Sequence, residues 1–254
     1  MLYLIGIGLN PKQITLEGIH AAQACETLYL ETYTSKYGEG NHSQLETILH
    51  APLIPRNREQ VEDAMEDLVK EAAHRHVGIL VYGNPLSATT HVSLLMECVA
   101  QKIPYRVIPG ISIFNYRGMR GLDEYRFGRT TTFVFPQEGF EPLSTFDVIV
   151  ENKKTGLHTH CLFDLHPHTQ RFMTIPEAIA FIESASHARE VDMHAWIGVG
   201  IAGAGNANEQ WHAGKLRELK KMEWTHYPQS LIVCGELTPY EREALQTLTG
   251  NRWV

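Results

Sequence analysis

The sequence predicts an α/β protein of two domains, and three observations carry that prediction. Short apolar runs alternate along the chain with segments whose apolar residues recur at helical spacing, the pattern of strands and helices in turn. Several apolar runs end in loops rich in Gly or Pro, and ligands of open α/β sheets bind where strand carboxyl ends meet such loops. Between Asn115 and Gly128 the composition shifts to Arg, Gly and Tyr without a clear period, which reads as a link. A length of 254 residues accommodates one large or two small domains. The predicted domains are 1–116 and 117–254, with largely parallel sheets.

The first strand is Leu2-Tyr3-Leu4-Ile5, running into the turn Gly6-Ile7-Gly8-Leu9, where glycine permits a sharp turn and close approach of a ligand. A dinucleotide fingerprint would need a third glycine where Pro11 stands, so that reading is disfavoured although Glu31 is spaced for a ribose clamp. Leu16, Ile19 and Ala22 follow at helical spacing, and Leu28-Tyr29-Leu30 is the second strand. Ser43-x-x-Glu46 and Asn57-x-x-Gln60 each match a capping box. After the second, Val61, Ala64, Met65, Leu68, Val69 and Ala72 form one apolar helical face. Val77 to Tyr82 is a buried strand ending in Gly83-Asn84-Pro85-Leu86, and a helix is expected over Thr90 to Gln101. Tyr105 to Ile108 is a strand ending in Pro109-Gly110-Ile111-Ser112-Ile113. In the second half, strands are expected near Thr131–Phe135, His158–Leu165, Ala195–Ile201 and Ser230–Cys234. Thr174-x-x-Glu177 and Thr238-x-x-Glu241 are capping boxes, the latter with Pro239 at the first helical position.

Composition narrows the functional classes. The net charge of −7, from 29 acidic against 22 basic residues, disfavours a nucleic-acid surface. Arg117, Arg120, Arg126 and Arg129 form a local basic segment that is either a solvated linker or a docking surface for a large partner. No apolar run approaches the ~18 residues of a membrane span, and no basic region with a cleavage site follows Met1, so a soluble cytoplasmic protein is expected. Cys25, Cys98, Cys161 and Cys234 stand far apart in apolar context and read as reduced core thiols.

Hydrolytic motifs are missing: there is no Gly-x-Ser-x-Gly elbow, no phosphate loop ending Gly-Lys-Ser/Thr and no His-Glu-x-x-His pair. His158-Thr159-His160 and His166-Pro167-His168 invite a metal reading, but zinc needs three or four protein ligands and the others are not identifiable, so no metal is expected. What remains is a set of small-residue loops, with Ala202-Gly203-Ala204-Gly205 as the fourth. Such loops recognise a ligand chiefly through backbone groups, which suits a polar cofactor carrying an adenine.

Met1 to Leu9, Glu31-Thr32-Tyr33-Thr34-Ser35, Gly83 to His91 and Gly156-Leu157-His158-Thr159 together resemble the diphthine synthases, in the tetrapyrrole methylase-like superfamily of S-adenosylmethionine-dependent methyltransferases. The resemblance runs in order over nearly the whole chain. It implies two α/β domains with the cofactor in the cleft between them, usually in a homodimer. It also implies methylation of the amino group of a modified histidine on translation elongation factor 2, a step of diphthamide synthesis that leaves S-adenosyl-L-homocysteine. Carried over by position, it puts cofactor contacts at Leu9, Asn84, Ser87, Ser112, Ile113, Phe163, Ala202 and Gln229, several acting through backbone atoms.

Two positions depart from the family. Asn84 stands where Asp is usual and Gln229 where His is common. Asn keeps the acceptor and the size of Asp but loses the charge, which weakens attraction to a cationic cofactor. A dedicated base is not called for, since an α-amino acceptor loses its proton readily near neutral pH, and if a side chain assists, Thr34, Ser35, Thr89, Thr90 and His158 are the candidates. Two other readings stay open: a methyltransferase of a tetrapyrrole or ribosomal RNA, and a divergent member that binds without turnover.

Overall fold

In the first half of the chain every strand of the sheet's middle is buried along its whole length. β1 (Leu2–Gly6), β2 (Thr27–Glu31) and β4 (Val77–Val81) have no exposed residue, as expected where helices cover both faces of a parallel sheet. Between them run α1 (Leu16–Gln23), α2 (His42–Leu49), the edge strand β3 (Ile54–Arg56) and α3 (Met65–Ala72). After β4 come α4 (Val92–Ala100) and β5 (Tyr105–Ile108). The order is β3-β2-β4-β1-β5, parallel throughout. The two-residue period of a strand divides the core between the faces. Ile5, Leu28, Leu30 and Leu80 pack with Ala22 of α1 and Leu45 of α2, whereas Leu4, Tyr29 and Ile79 pack with Leu68 of α3 and Leu94 of α4.

This computed structural model describes residues 1–136 and 143–250 and divides into two units, Met1–Phe114 and Asn115–Val254. The second unit contains β6 (Thr131–Phe133), α5 (Ser144–Lys154), β7 (Thr159–Phe163), the short pair β8 (Leu165–His166) and β9 (Arg171–Phe172), and α6 (Ile175–Ala188). It continues with β10 (Ile197–Ala202), β11 (Gln210–Lys215), α7 (Leu216–Leu219), β12 (Gln229–Val233) and α8 (Pro239–Thr249). Its sheet, β11-β10-β12-β7-β6, corrects the expectation of parallel pairing, because only β6 and β7 run parallel. For β10 and β11 the reason is connection length. The link from β10 to β11 spans 203–209, enough for a hairpin but short of the dozen or more residues a parallel crossover needs. The core joins Phe133, Phe146 and Ile149 to Ile175, Ile179 and Leu231, with Phe146 stacked on Trp196 at 5.8 Å.

Local caps mostly follow the sequence. Thr174 with Glu177, and Thr238 with Glu241, close reciprocal capping boxes. Asn57 and Gln60 also bond reciprocally, at 2.9 and 3.0 Å, but a π-helical stretch, Glu59–Asp63, intervenes before α3. The predicted Ser43–Glu46 box is replaced by Asn41 with Gln44, and Glu46 accepts from Leu53 N instead. The arginine segment is largely internal wiring. Arg117 donates to His160 and Thr130, Arg120 is 5% exposed and pairs with Glu209, and Arg126 reaches Glu241 and two backbone carbonyls. Only Arg129 makes a wholly superficial pair, with Glu151. All four cysteines are free thiols, and among the described residues no helix is long and apolar enough to cross a membrane.

Candidate functional site

At the carboxyl edge of the first sheet three loops meet backbone to backbone. Gly8 and Gly83 form an antiparallel bridge, with Gly83 N donating to Gly8 O at 2.9 Å. A Cβ on Gly6 would stand 2.5 Å from Gly110 N and 2.7 Å from Gly83 O, so no larger residue fits between the three chains. Gly83 itself has φ +71°, the left-handed region that glycine enters without strain. The turns after β1, β4 and β5, separate in sequence, are thereby one surface. Leu9, Asn84, Ser87 and Ser112 lie on these turns, and Ile113 opens the 3-10 helix that follows the third.

Leu9, Asn84 and Ser87 are placed by local bonds. Leu9 N donates to Gln13 Oε1 at 2.9 Å, so Leu9 has its side chain and carbonyl to offer a ligand rather than its amide. Asn84 Oδ1 accepts from Leu86 N at 3.2 Å, and Ser87 N donates to Asn84 O at 3.1 Å, an Asx turn that fixes the loop. Ser112 is buried against Gly83. At the end of neighbouring β2, the fully buried Glu31 carboxylate accepts from Tyr33 N, Thr34 N and the Thr34 hydroxyl, and among the described residues it forms no ion pair. Burial first and the Glu31 charge second push the Tyr82 phenol up to about 12, and the same two causes raise Tyr33. The edge thus combines neutral polar side chains, backbone held by its own bonds and, among the described residues, a nearby anion without a counter-ion. That combination fits a polar cofactor with a positive charge.

In the second unit Phe163, Ala202 and Gln229 occupy one end of adjacent strands. Ala202 and Gln229 are register partners, and Phe163 closes β7 beside β12. The Gln229 side chain is fully employed: Oε1 accepts from Ile175 N at 2.9 Å, and Nε2 donates to His226 O at 3.0 Å and Trp224 O at 3.3 Å. It caps the first turn of α6 and ties down the segment before β12, a role that its spacing in the sequence did not reveal.

The five side chains considered as assisting groups divide by their partners. Thr34 donates to Glu31, Thr89 to Pro85 O at 2.5 Å, and Thr90 to Glu62 at 2.7 Å. His158 is enclosed between Glu241 and Gly235 N, which makes it part of the frame of the second unit. Ser35 is half-buried beyond the Glu31 turn. His160, two residues after His158, takes a hydrogen bond from Arg117 Nε at 3.1 Å, and its pKa is pushed down to about 3 by burial. Among the described residues no three His, Cys, Asp or Glu side chains gather to hold a metal. Sequence reasoning missed the link between Tyr33 and His91, whose hydroxyl and Nε2 are 3.3 Å apart across two loops.

The family model of the tetrapyrrole (corrin/porphyrin) methylases matches residues 1–220. The chain is 36% identical over 255 residues to the diphthine synthase of Methanosphaera stadtmanae, covering 98% of this chain and 95% of that protein. It is 34% identical to the diphthine methyl ester synthase of Bos taurus, over 98% and 95% of the two chains. A crystal structure of a diphthine synthase superposes with a TM-score of 0.88 at 28% identity, covering 98% of this chain and 96% of that one. Similarity of this extent, spanning both units and every loop of the candidate site, shows that the chain belongs to the tetrapyrrole methylase family and, within it, to the diphthine synthases.

Proposed function

We propose that this protein transfers methyl groups from S-adenosylmethionine to the modified histidine of translation elongation factor 2, a step in diphthamide biosynthesis. Full-length similarity to proteins named diphthine synthase carries this reading. It favours a protein acceptor over the tetrapyrrole acceptors that the family is named for, and over ribosomal RNA, which the net charge of −7 already disfavours. Incubation with labelled S-adenosylmethionine and each acceptor tests it: label should enter only elongation factor 2 bearing the diphthamide precursor. Label in a tetrapyrrole or in RNA instead would overturn the reading.

The cofactor, when bound, supplies an electrophilic methyl on a sulfonium, so the protein's tasks are orientation and exclusion of water. Leu9, Asn84, Ser87, Ser112 and Ile113 in the first unit, and Phe163, Ala202 and Gln229 in the second, are the proposed contacts. Gln229 would act through its backbone, since its amide is already spent on Ile175, Trp224 and His226. Glu31 contributes a negative potential at the edge of the first sheet. No dedicated base is required, because an α-amino group with a pKa of about 7.7–8.0 is readily neutral in water. The existing partners of Thr34, Thr89, Thr90 and His158 agree with that. The protein is proposed to work in the cytoplasm as a homodimer, and the stripe of exposed Val92, Met96 and Val99 along α4 is an apolar face suited to self-association.

A second reading of the product has its own support. The bovine relative is named a diphthine methyl ester synthase, so methylation of a carboxylate on the same residue is the alternative to methylation of its amine. Mild base separates them: an ester methyl is released and an N-methyl is not.

A further inference from the structure

The segment 83–91, which carries Asn84 and Ser87, joins β4 to α4 without regular structure. Within it, Ala88 holds a left-handed φ of +57° and Pro85 O receives the Thr89 hydroxyl. What fastens it to the sheet is a pair of buried side chains. His91, 1% exposed, has Nδ1 3.1 Å from Pro85 O. A carbonyl only accepts, so Nδ1 carries the proton, and in the neutral ring Nε2 is then an acceptor. The Tyr33 hydroxyl lies 3.3 Å from that Nε2, with the two rings edge to face at 6.3 Å. Tyr33 is in turn held at the end of β2, where its N–H donates to the Glu31 carboxylate at 2.5 Å. Glu62 also faces this corner, accepting from Thr90 and standing within hydrogen-bond reach of the Tyr33 hydroxyl, so the phenol is held between the Glu62 carboxylate and His91 Nε2.

We infer that Tyr33 and His91 are positioning residues of the methyl-donor site: the path from the Tyr33 hydroxyl through the His91 ring to Pro85 O anchors the Asn84–Ser87 turn to the sheet. Both side chains are buried, so they act through the turn they hold. The clamp stands on the geometry, and its consequence for ligand affinity rests on the methyltransferase reading above.

The test uses the full-length chain and the variants Tyr33→Phe, His91→Ala and His91→Asn. Calorimetry measures affinity for S-adenosylhomocysteine, and hydrogen exchange measures protection of 83–91 in the unliganded protein. One neutral hydrogen bond is worth about 1 kcal/mol, so Tyr33→Phe should weaken binding about fivefold and raise exchange in 83–91 while leaving the second unit unchanged. His91→Ala should weaken it further. His91→Asn, whose amide N–H can replace Nδ1–H, should recover part of the His91→Ala loss, a rescue that general destabilisation would not give. Equal affinity and equal exchange in Tyr33→Phe and the wild type would overturn the inference, whether or not His91→Ala folds. A wild type that bound no S-adenosylhomocysteine would overturn the methyltransferase reading, and exchange alone would then decide the clamp.

Discussion

His158 Nε2 lies 2.9 Å from Glu241 Oε1, with both side chains enclosed, and this contact ties the start of β7 to the first turn of α8. Gly235 N donates to His158 Nδ1 at 3.0 Å, which makes Nδ1 the acceptor and places the ring proton on Nε2, facing Glu241. Burial pushes the His158 pKa down despite the neighbouring carboxylate. Burial alone would raise Glu241, but hydrogen bonds from Thr238 N, His158 and Asp123 N outweigh it and hold the carboxyl near about 2. The pair is therefore a neutral imidazole donating to an anion.

That arrangement fixes the sign of the pH dependence. Glu241 is depressed from an ordinary value of 4.5, so its stabilisation is complete above that pH and is lost as pH falls toward about 2. His158 is depressed from 6.5, so the unfolded chain takes up a proton first and stability begins to decline below that pH. Glu241→Gln should lower unfolding free energy by about 2 kcal/mol at neutral pH and flatten the dependence below 4.5. Thermal unfolding across pH checks this, and an unaltered acid slope in the variant would contradict it.

Asn84→Asp should tighten S-adenosylmethionine binding. The carboxylate would keep the turn by accepting from Leu86 N and add a charge beside a cationic ligand. A charge-assisted bond exceeds a neutral one by roughly 1 kcal/mol, which is about five- to tenfold in affinity. Calorimetry of the two proteins decides; equal affinities would mean that Asn84 does not face the positive charge.

Gln229→Ala should destabilise the second unit. It leaves Ile175 N in the first turn of α6 without its acceptor and removes two donors from the carbonyls of Trp224 and His226. A cost of about 2–3 kcal/mol is expected, visible as a drop of several degrees in the unfolding midpoint. Gln229→His should cost less if a ring nitrogen can still accept from Ile175 N. An unchanged midpoint in Gln229→Ala would remove the capping role.

Gly110→Ala and Gly83→Ala should differ sharply. At Gly110 the new Cβ would run into Gly83 O and stand 2.7 Å from Gly6 C, backbone that cannot yield, so the variant should fold poorly or not at all. At Gly83 the nearest atom is Ser112 Cβ at 3.5 Å, and only the left-handed φ opposes the change, at about 1–2 kcal/mol. Soluble yield and unfolding midpoints of the two proteins give the comparison; similar behaviour would contradict the close packing of the three turns.

Much of this was legible in the residues because it depends on local rules. The continuous apolar runs of β1 and β4, and the Thr-x-x-Glu boxes of α6 and α8, each specify their element within a few residues. Features that depend on distant partners were not. Helix α5 was missed because its apolar residues, Phe146 and Ile149, sit among Asp147, Glu151 and Asn152 with no recognisable cap. Antiparallel pairing in the second sheet follows from which strands meet, and an apolar run does not encode that. The basic segment illustrates the same limit: Arg120 looks like surface in the sequence, and only the fold brings Glu209 and the Trp211 ring to it. In the candidate site the glycine turns were visible one by one, whereas Tyr33 meeting His91 and Gln229 capping α6 arise from tertiary contact.

The central claim is tested most directly by mass spectrometry of elongation factor 2 carrying the diphthamide precursor, before and after incubation with this protein and S-adenosylmethionine. The account predicts a gain of whole methyl increments, confined to the peptide with the modified histidine and absent from factor with an unmodified histidine, with base treatment distinguishing N-methyl from ester. No gain in mass on the precursor-bearing factor, with cofactor binding demonstrated, would contradict it.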